Sequence, residues 1–257
     1  METSLLKILL EIPTSKLTFN FCAFTDEGIV INKTDFGEAD RYVTVFTKNF
    51  GKIIFFIKGI RKSKKREVSA VDTLTYSSFT FYKKKESYMI SNLQSLDSYF
   101  ELKGDLDNLG LGLYILSILN TILVENNRKK NLFKITVKSL DYLKTSKDIK
   151  NNYILIAYYL HYIIKDEGLK IEKGEGLNFS FRNSTFVKIN EDFSFKVSLE
   201  QKEIVVKILE GKVKELIKGK YLIKDIMRVI SLFEKYLNFQ FGIELRMKNY
   251  IMGVEND

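Results

Sequence analysis

The stretch Ile54–Ala70, IFFIKGIRKSKKREVSA, places six cations within nine residues: Lys58, Arg61, Lys62, Lys64, Lys65 and Arg66. The first acid after them is Glu67. Charges this dense repel one another unless they are solvated, neutralised or bound to a polyanion. The chemistry available to such a segment is phosphate capture. A lysine or arginine that meets a phosphate releases condensed counterions, and arginine adds a two-pronged hydrogen bond. Lys83, Lys84 and Lys85 form a second, smaller basic group. Aromatic residues stand nearby, at Tyr42, Phe55, Phe56, Phe81 and Tyr82. Phe55 and Phe56 are neighbours, so on a strand one faces inward and the other outward.

Other chemistries find little support. The chain has no GxxxxGK[ST] phosphate loop, no HExxH and no GxSxG. The glycines of GLGLY lie inside an apolar helical pattern and read as helix packing. Glu38 and Asp40 are close together and read as solvated surface acids. His161 is the single histidine; set among Tyr158, Tyr159, Leu160 and Tyr162, it reads as a core or interface residue. Cys22 is the single cysteine, which rules out an intrachain disulfide and a cysteine-based zinc site. No cofactor or metal is expected, and a cytoplasmic location is. The most apolar run, Leu109–Val124, has 16 residues and includes Asn120 and Thr121, too short for a membrane span. No membrane partner is expected.

The net charge of +9 favours polyanionic partners. The composition is also rich in Lys, Ile and Asn, with one proline and no tryptophan. An AT-rich genome tends to produce such a bias, so local clustering carries the argument rather than the total.

The elements that position these residues divide the chain in two. Residues 26–103 read as short strands rich in Val, Ile, Phe, Tyr and Thr, the pattern of a small barrel. A turn at KNFG uses Gly51, and KKKE forms a hairpin tip. Barrels of the OB type bind single strands with cations along the backbone and rings stacked on bases, and tips of neighbouring hairpins can lie near one face. Residues 104–257 read as mainly helical. Asp105 and Asp148 are expected to cap helix starts, Ser198 with Gln201 to form a capping box, and Gly168 and Gly242 to end helices. Within this half, 169–198 alternates and reads as a small β insert. Residues 1–25 read as an extension before the barrel.

The segment Asp26–Arg66 resembles the N-terminal signature of the bacterial RecO family of recombination mediators. The resemblance rests on the opening GIV strand, the DFGEADR turn, a strand ending in FT, the FGK turn, and KGIR leading into the basic loop. A weaker likeness runs on to YLNFQFGIELRMKNYI at Tyr236–Ile251. The resemblance implies an α+β protein, an N-terminal OB-fold barrel followed by a mainly helical domain. It implies binding of single- and double-stranded DNA, annealing of complementary strands, and, with RecR, loading of RecA onto DNA coated by single-strand binding protein. It implies no bond-making activity. The family's basic barrel surface maps onto Arg41 and the Lys58–Arg66 loop, with Lys83–Lys85 added from the hairpin tip. The acidic C-terminal tail of the coating protein is expected to dock on the helical domain, with Arg246 and Lys248 as candidate contacts. Many members carry a four-cysteine zinc module where this chain has 169–198, a stretch without Cys or His. Phe179, Phe181, Phe186, Phe193 and Phe195 are expected to form a small apolar core in its place. Three other readings stay open: a general single-stranded nucleic-acid binder without a recombination role, a scaffold whose basic loop is merely solvated, and an enzyme using His161.

Overall fold

A computed structural model of the chain describes residues 23–85 and 87–251. Most of the 1–25 extension lies outside the described residues. The first strand, β1, already begins at Phe24 and runs to Phe36. Four more follow: β2 Asp40–Thr47, β3 Gly51–Ile57, β4 Tyr76–Lys84 and β5 Ser87–Asp97. They close a barrel in the order β1-β2-β3-β5-β4, antiparallel except where β5 joins β3 in parallel at Phe55 and Tyr88. This is the five-stranded architecture expected of an OB fold. Alternation puts Val43, Val45, Ile53, Phe55, Phe79 and Phe81 inside, where they are fully or almost fully buried. Phe55 stacks on Phe79 at 5.7 Å. Two 3-10 turns, Ile60–Lys62 and Val68–Val71, connect β3 to β4 and bury Ile60, Ala70 and Val71 in the same core.

The second half carries α1 Phe100–Lys103, α2 Leu106–Ile122, α3 Lys130–Thr145 and α4 Ile149–Asp166. A three-stranded sheet follows, made of β6 Asn178–Ser180, β7 Thr185–Val187 and β8 Ser194–Lys196 in the order β7-β6-β8. The chain then forms α5 Leu199–Leu209, α6 Val213–Lys218 and α7 Ile223–Phe241, and a 3-10 turn at Met247–Asn249. Each expected cap is present. Asp105 and Asp148 accept the N–H groups of Asn108 and Asn151, Ser198 and Gln201 form the reciprocal box, and Gly242 closes α7. No described helix is long and apolar enough to cross a membrane.

The barrel interior is one core and the helical half another, and residues of the barrel's outer wall pack into the second. Phe46 of β2 meets Phe133 of α3 at 5.4 Å, and Ile29, Ile31 and Leu74 join the helical cluster. The turn between β2 and β3 docks on the loop between α2 and α3. Gly51 has φ +76°, and a Cβ there would strike the backbone of Asn127. Next to it, Lys52 Nζ donates to the carbonyls of Asn120 at 2.7 Å and Leu123 at 3.3 Å. These carbonyls lie at the negative end of α2, where a cation is favoured.

The β insert forms as expected, with one correction. Phe179, Phe181, Phe186 and Phe195 are buried, but Phe193 is 55% exposed. Phe193 sits at φ +57° just before β8. Its carbonyl serves the sheet by accepting the Phe181 N–H, and its ring turns outward under the Arg182 guanidinium. The insert's core is also not self-contained: Phe179 packs edge-on against Tyr236 of α7 at 5.4 Å.

The GLGLY glycines are packing residues. A Cβ at Gly110 would collide with the carbonyl of Tyr250, whereas one at Gly112 would meet only the ends of the Leu102 and Leu140 side chains. Gly110→Ala is therefore expected to cost about 1–3 kcal/mol as the C-terminal segment is pushed away. Gly112→Ala should be close to neutral, because helix propensity offsets the mild crowding. Urea denaturation of the two variants checks this, and equal effects would refute it. His161 stacks on Phe233 at 6.2 Å, and burial, with Lys165 nearby, pushes its pKa down to about 4. The unfolded chain then binds the extra proton first. Stability should fall as pH drops from about 6.5 toward about 4. In His161→Phe this part of the pH dependence should vanish.

Candidate nucleic-acid interface

The basic loop is a built structure. Its anchor is the turn between β1 and β2. Asp40 Oδ1 accepts the backbone N–H of Gly59 at 2.7 Å, and the Arg61 N–H donates to the Ala39 carbonyl at 3.0 Å. The Arg61 guanidinium donates to the Gly37 carbonyl at 3.2 Å and lies 3.3 Å from Asp35. Lys62 Nζ is 2.8 Å from Glu38. Beyond the first 3-10 turn, Ser63 Oγ accepts the N–H groups of Lys65 and Arg66, and Arg66 folds back to donate to the Lys58 carbonyl. Asp40 is therefore a half-buried anchor and not the solvated acid expected. Glu38 is exposed but paired.

Arg41, expected at the DNA surface, is buried instead. Its guanidinium lies 2.8 Å from Asp35 and 3.5 Å from Asp72. The hydrogen bond from Arg41 holds the Asp35 carboxyl below the usual aspartate range. The pair is thus fully formed above that range and is lost as the pH falls through the lowered value. Arg41 fixes the turn that fixes the loop. Among the described residues, Lys58, Lys64, Lys65 and Arg66 meet no carboxylate. Lys58, Lys64 and Lys65 point their charge into solvent.

Beside this loop lies a cluster of outward rings. Phe36, Tyr42 and Phe56 contact one another, with centroids 5.6 Å, 4.8 Å and 5.8 Å apart. Phe36 is 53% and Tyr42 40% exposed. The register explains the cluster: Tyr42 pairs with Phe56 across β2 and β3, and Phe36 pairs with Asp40 at the turn. Lys58 is the next residue after Phe56 in the outward alternation. Of the aromatic candidates, Phe55 and Phe81 face the core, while Tyr42, Phe56 and Tyr82 do not. Phe36 was missed, although its place after Thr34 in the β1 alternation marks it.

The structure does not bring the two basic groups together at one end. Parallel pairing of Phe55 with Tyr88, which also faces Lys83, sets exposed Lys83 and Lys84 level with the middle of β3, with the tip at Lys85 directed toward its start. The Lys58–Arg66 loop leaves from the end of β3. The two groups flank the outer face of β3 from opposite ends. The tail candidates lie elsewhere: Arg246 is exposed and paired with Glu244, and Lys248 is exposed in the 3-10 turn beyond α7. The arrangement on the barrel combines a row of cations with a platform of rings, which can hold a phosphate backbone and stack bases.

If Asp40 holds the loop, Asp40→Ala should cost about 1 kcal/mol locally. Amide exchange at Gly59 and Arg61 should speed up while the central β2 amides stay protected. Unchanged exchange at Gly59 would show that another contact holds the loop.

Comparison with known proteins gives the same outline. The model of a family described as "Recombination protein O N terminal" matches residues 23–99, the barrel itself. The DNA repair protein RecO of Acetivibrio thermocellus is 34% identical over 113 residues, 44% of this chain and 45% of that relative. That of Clostridium novyi is 27% identical over 158 residues, 62% of this chain and 58% of the relative. The chain thus spans about half the length of these two relatives. The RecO of Thermoanaerobacter sp. is 27% identical over 244 residues, covering 90% of this chain and 97% of that protein. The family model thus matches the barrel, and the likeness to RecO proteins carries on through the helical half.

Proposed function

We propose that this chain is a DNA-binding recombination mediator that gathers single and double strands on its barrel and anneals complements. The observation that carries this reading is the basic loop, locked beside an exposed aromatic cluster on the outer face of β2 and β3. Strand pairing is opposed by phosphate repulsion. A row of lysines lowers that repulsion while the rings hold bases unstacked from their own strand. Nothing in this requires a bond to be made or broken, and the chain acts as a binder and not as an enzyme. Working with RecR in the cytoplasm, it helps load RecA onto DNA coated by single-strand binding protein. The helical half docks the acidic tail of that protein and so brings the barrel to exposed strands. The names of the relatives, all DNA repair proteins, support the repair role.

The structure selects the variant that tests this. The side chains of Lys58, Lys64 and Lys65 take no part in holding the loop, which uses only their backbone groups, so changing all three to Ala removes charge and leaves the fold intact. The slope of log affinity against log salt for a single strand should shrink by about 2, at roughly 0.7 per lost phosphate contact. Annealing of complementary strands should slow in parallel. Replacing Tyr42 and Phe56 by Ala should weaken single-strand binding by about 1–3 kcal/mol per base that stacks. If both variants bind and anneal like the parent, the barrel face is not the DNA site.

A further inference from the structure

A groove of about 500 Å³ opens where the barrel meets α3. Tyr76 and Phe133 form its floor, Lys48 stands on the barrel side, and Lys130, Lys134 and Lys138 stand on the helix side. The floor is closed by internal bonds: Tyr76 donates its hydroxyl to Glu27 at 2.6 Å, and Lys48 pairs with the same carboxylate at 3.0 Å. The three helix lysines are different. They recur at every fourth residue, which puts them in one line, about 6 Å apart along the axis. All three are exposed, and none meets a carboxylate among the described residues. Their neighbours on the same helix and its entry are neutralised: Lys129 by Asp166 and Glu167, and Lys144 by Asp97 and Glu101. The protein has thus paired the lysines around this groove and left unpaired the three that rim it.

The groove is separate from the aromatic face. Tyr76 of its floor stands at the start of β4 and its partner Glu27 in the first half of β1, while the rings sit at the far end of β1 and on β2 and β3. We infer that the groove is a second nucleic-acid site, in which Lys130, Lys134 and Lys138 hold the phosphodiester backbone of a second strand. An evenly spaced line of cations matches a polymer whose charge repeats at regular intervals. A peptide with a single anchoring carboxylate would need its cations gathered at one end. The floor offers no free ring to stack a base, so the groove holds a backbone without reading its sequence. This inference rests on the DNA reading of the barrel face. It adds that one molecule holds both partners of an annealing reaction, one strand on each surface.

The test uses the full chain and two oligonucleotides that cannot pair. One is tethered and saturated with protein, and the other is labelled and added after washing. In the variant Lys130→Ala, Lys134→Ala, Lys138→Ala, binding to the tethered strand should change less than about twofold. Capture of the labelled strand should fall at least tenfold, and its salt slope should shrink by about 2. Alanine keeps the helix, and a companion with all three changed to Arg should restore capture. The inference is overturned if the Ala variant captures like the parent, if the parent captures nothing, or if the variant loses the tethered strand as well. It is also overturned if the variant loses an acidic peptide probe while strand capture persists, which would assign the groove to a protein partner. Failure of the barrel reading looks different: the Lys58, Lys64, Lys65 variant would then hold the tethered strand as tightly as the parent.

Discussion

Six cations in nine residues can be folded onto a barrel rim only if some of that charge is cancelled where the backbone must turn. The β1–β2 turn does this. Asp35 and Glu38 meet Arg61 and Lys62, and Asp40 ties down the backbone at Gly59. With the inner cations neutralised, the outer ones can be held close together and still face water. Arg41 belongs to the same arrangement from below, sharing Asp35 with Arg61 and reaching Asp72 at the start of β4's approach. The acids of the turn and the cations of the loop are therefore one device, written in two segments of sequence.

The second constraint is that the barrel does not stand alone. Phe46 and Phe133 join its outer wall to α3, and Lys52 reaches the C-terminal carbonyls of α2. Burying a phenylalanine contributes about 1.5–3 kcal/mol, so the contact fixes the barrel firmly on the helices. The barrel face and the helical half thus sit on one packed framework. The same junction creates the groove beside α3.

Much of this was legible in the sequence. The strands, the hairpin turns at Gly51 and Lys85, the helix caps and the β insert all follow from local alternation, spacing and turn chemistry. What escaped depends on which distant segments meet. Asp40 looks solvated in the sequence because Gly59, nineteen residues on, gives no sign that it needs an acceptor. Arg41 looks available because the two carboxylates that bury it lie on separate segments. The two basic groups seemed neighbours because both sit at strand ends; only the parallel pairing of β3 with β5 reveals that they lie at opposite ends. The Lys130, Lys134, Lys138 row went unread, because only the facing barrel wall sets it on the rim of a groove.

The β insert has a consequence of its own. A module cross-linked by a metal ion carries part of its folding free energy in bonds to that ion and can behave as a self-sufficient cassette. Here the insert is held by rings shared with α7, and the hydroxyls of Ser184 and Tyr236 lie 2.6 Å apart across the seam. Grafted onto another scaffold, β6–β8 would lack half of its interior. Cut out of this one, it would leave Tyr236 and its neighbours on α7 uncovered. The insert is therefore a part that can change only together with its helix.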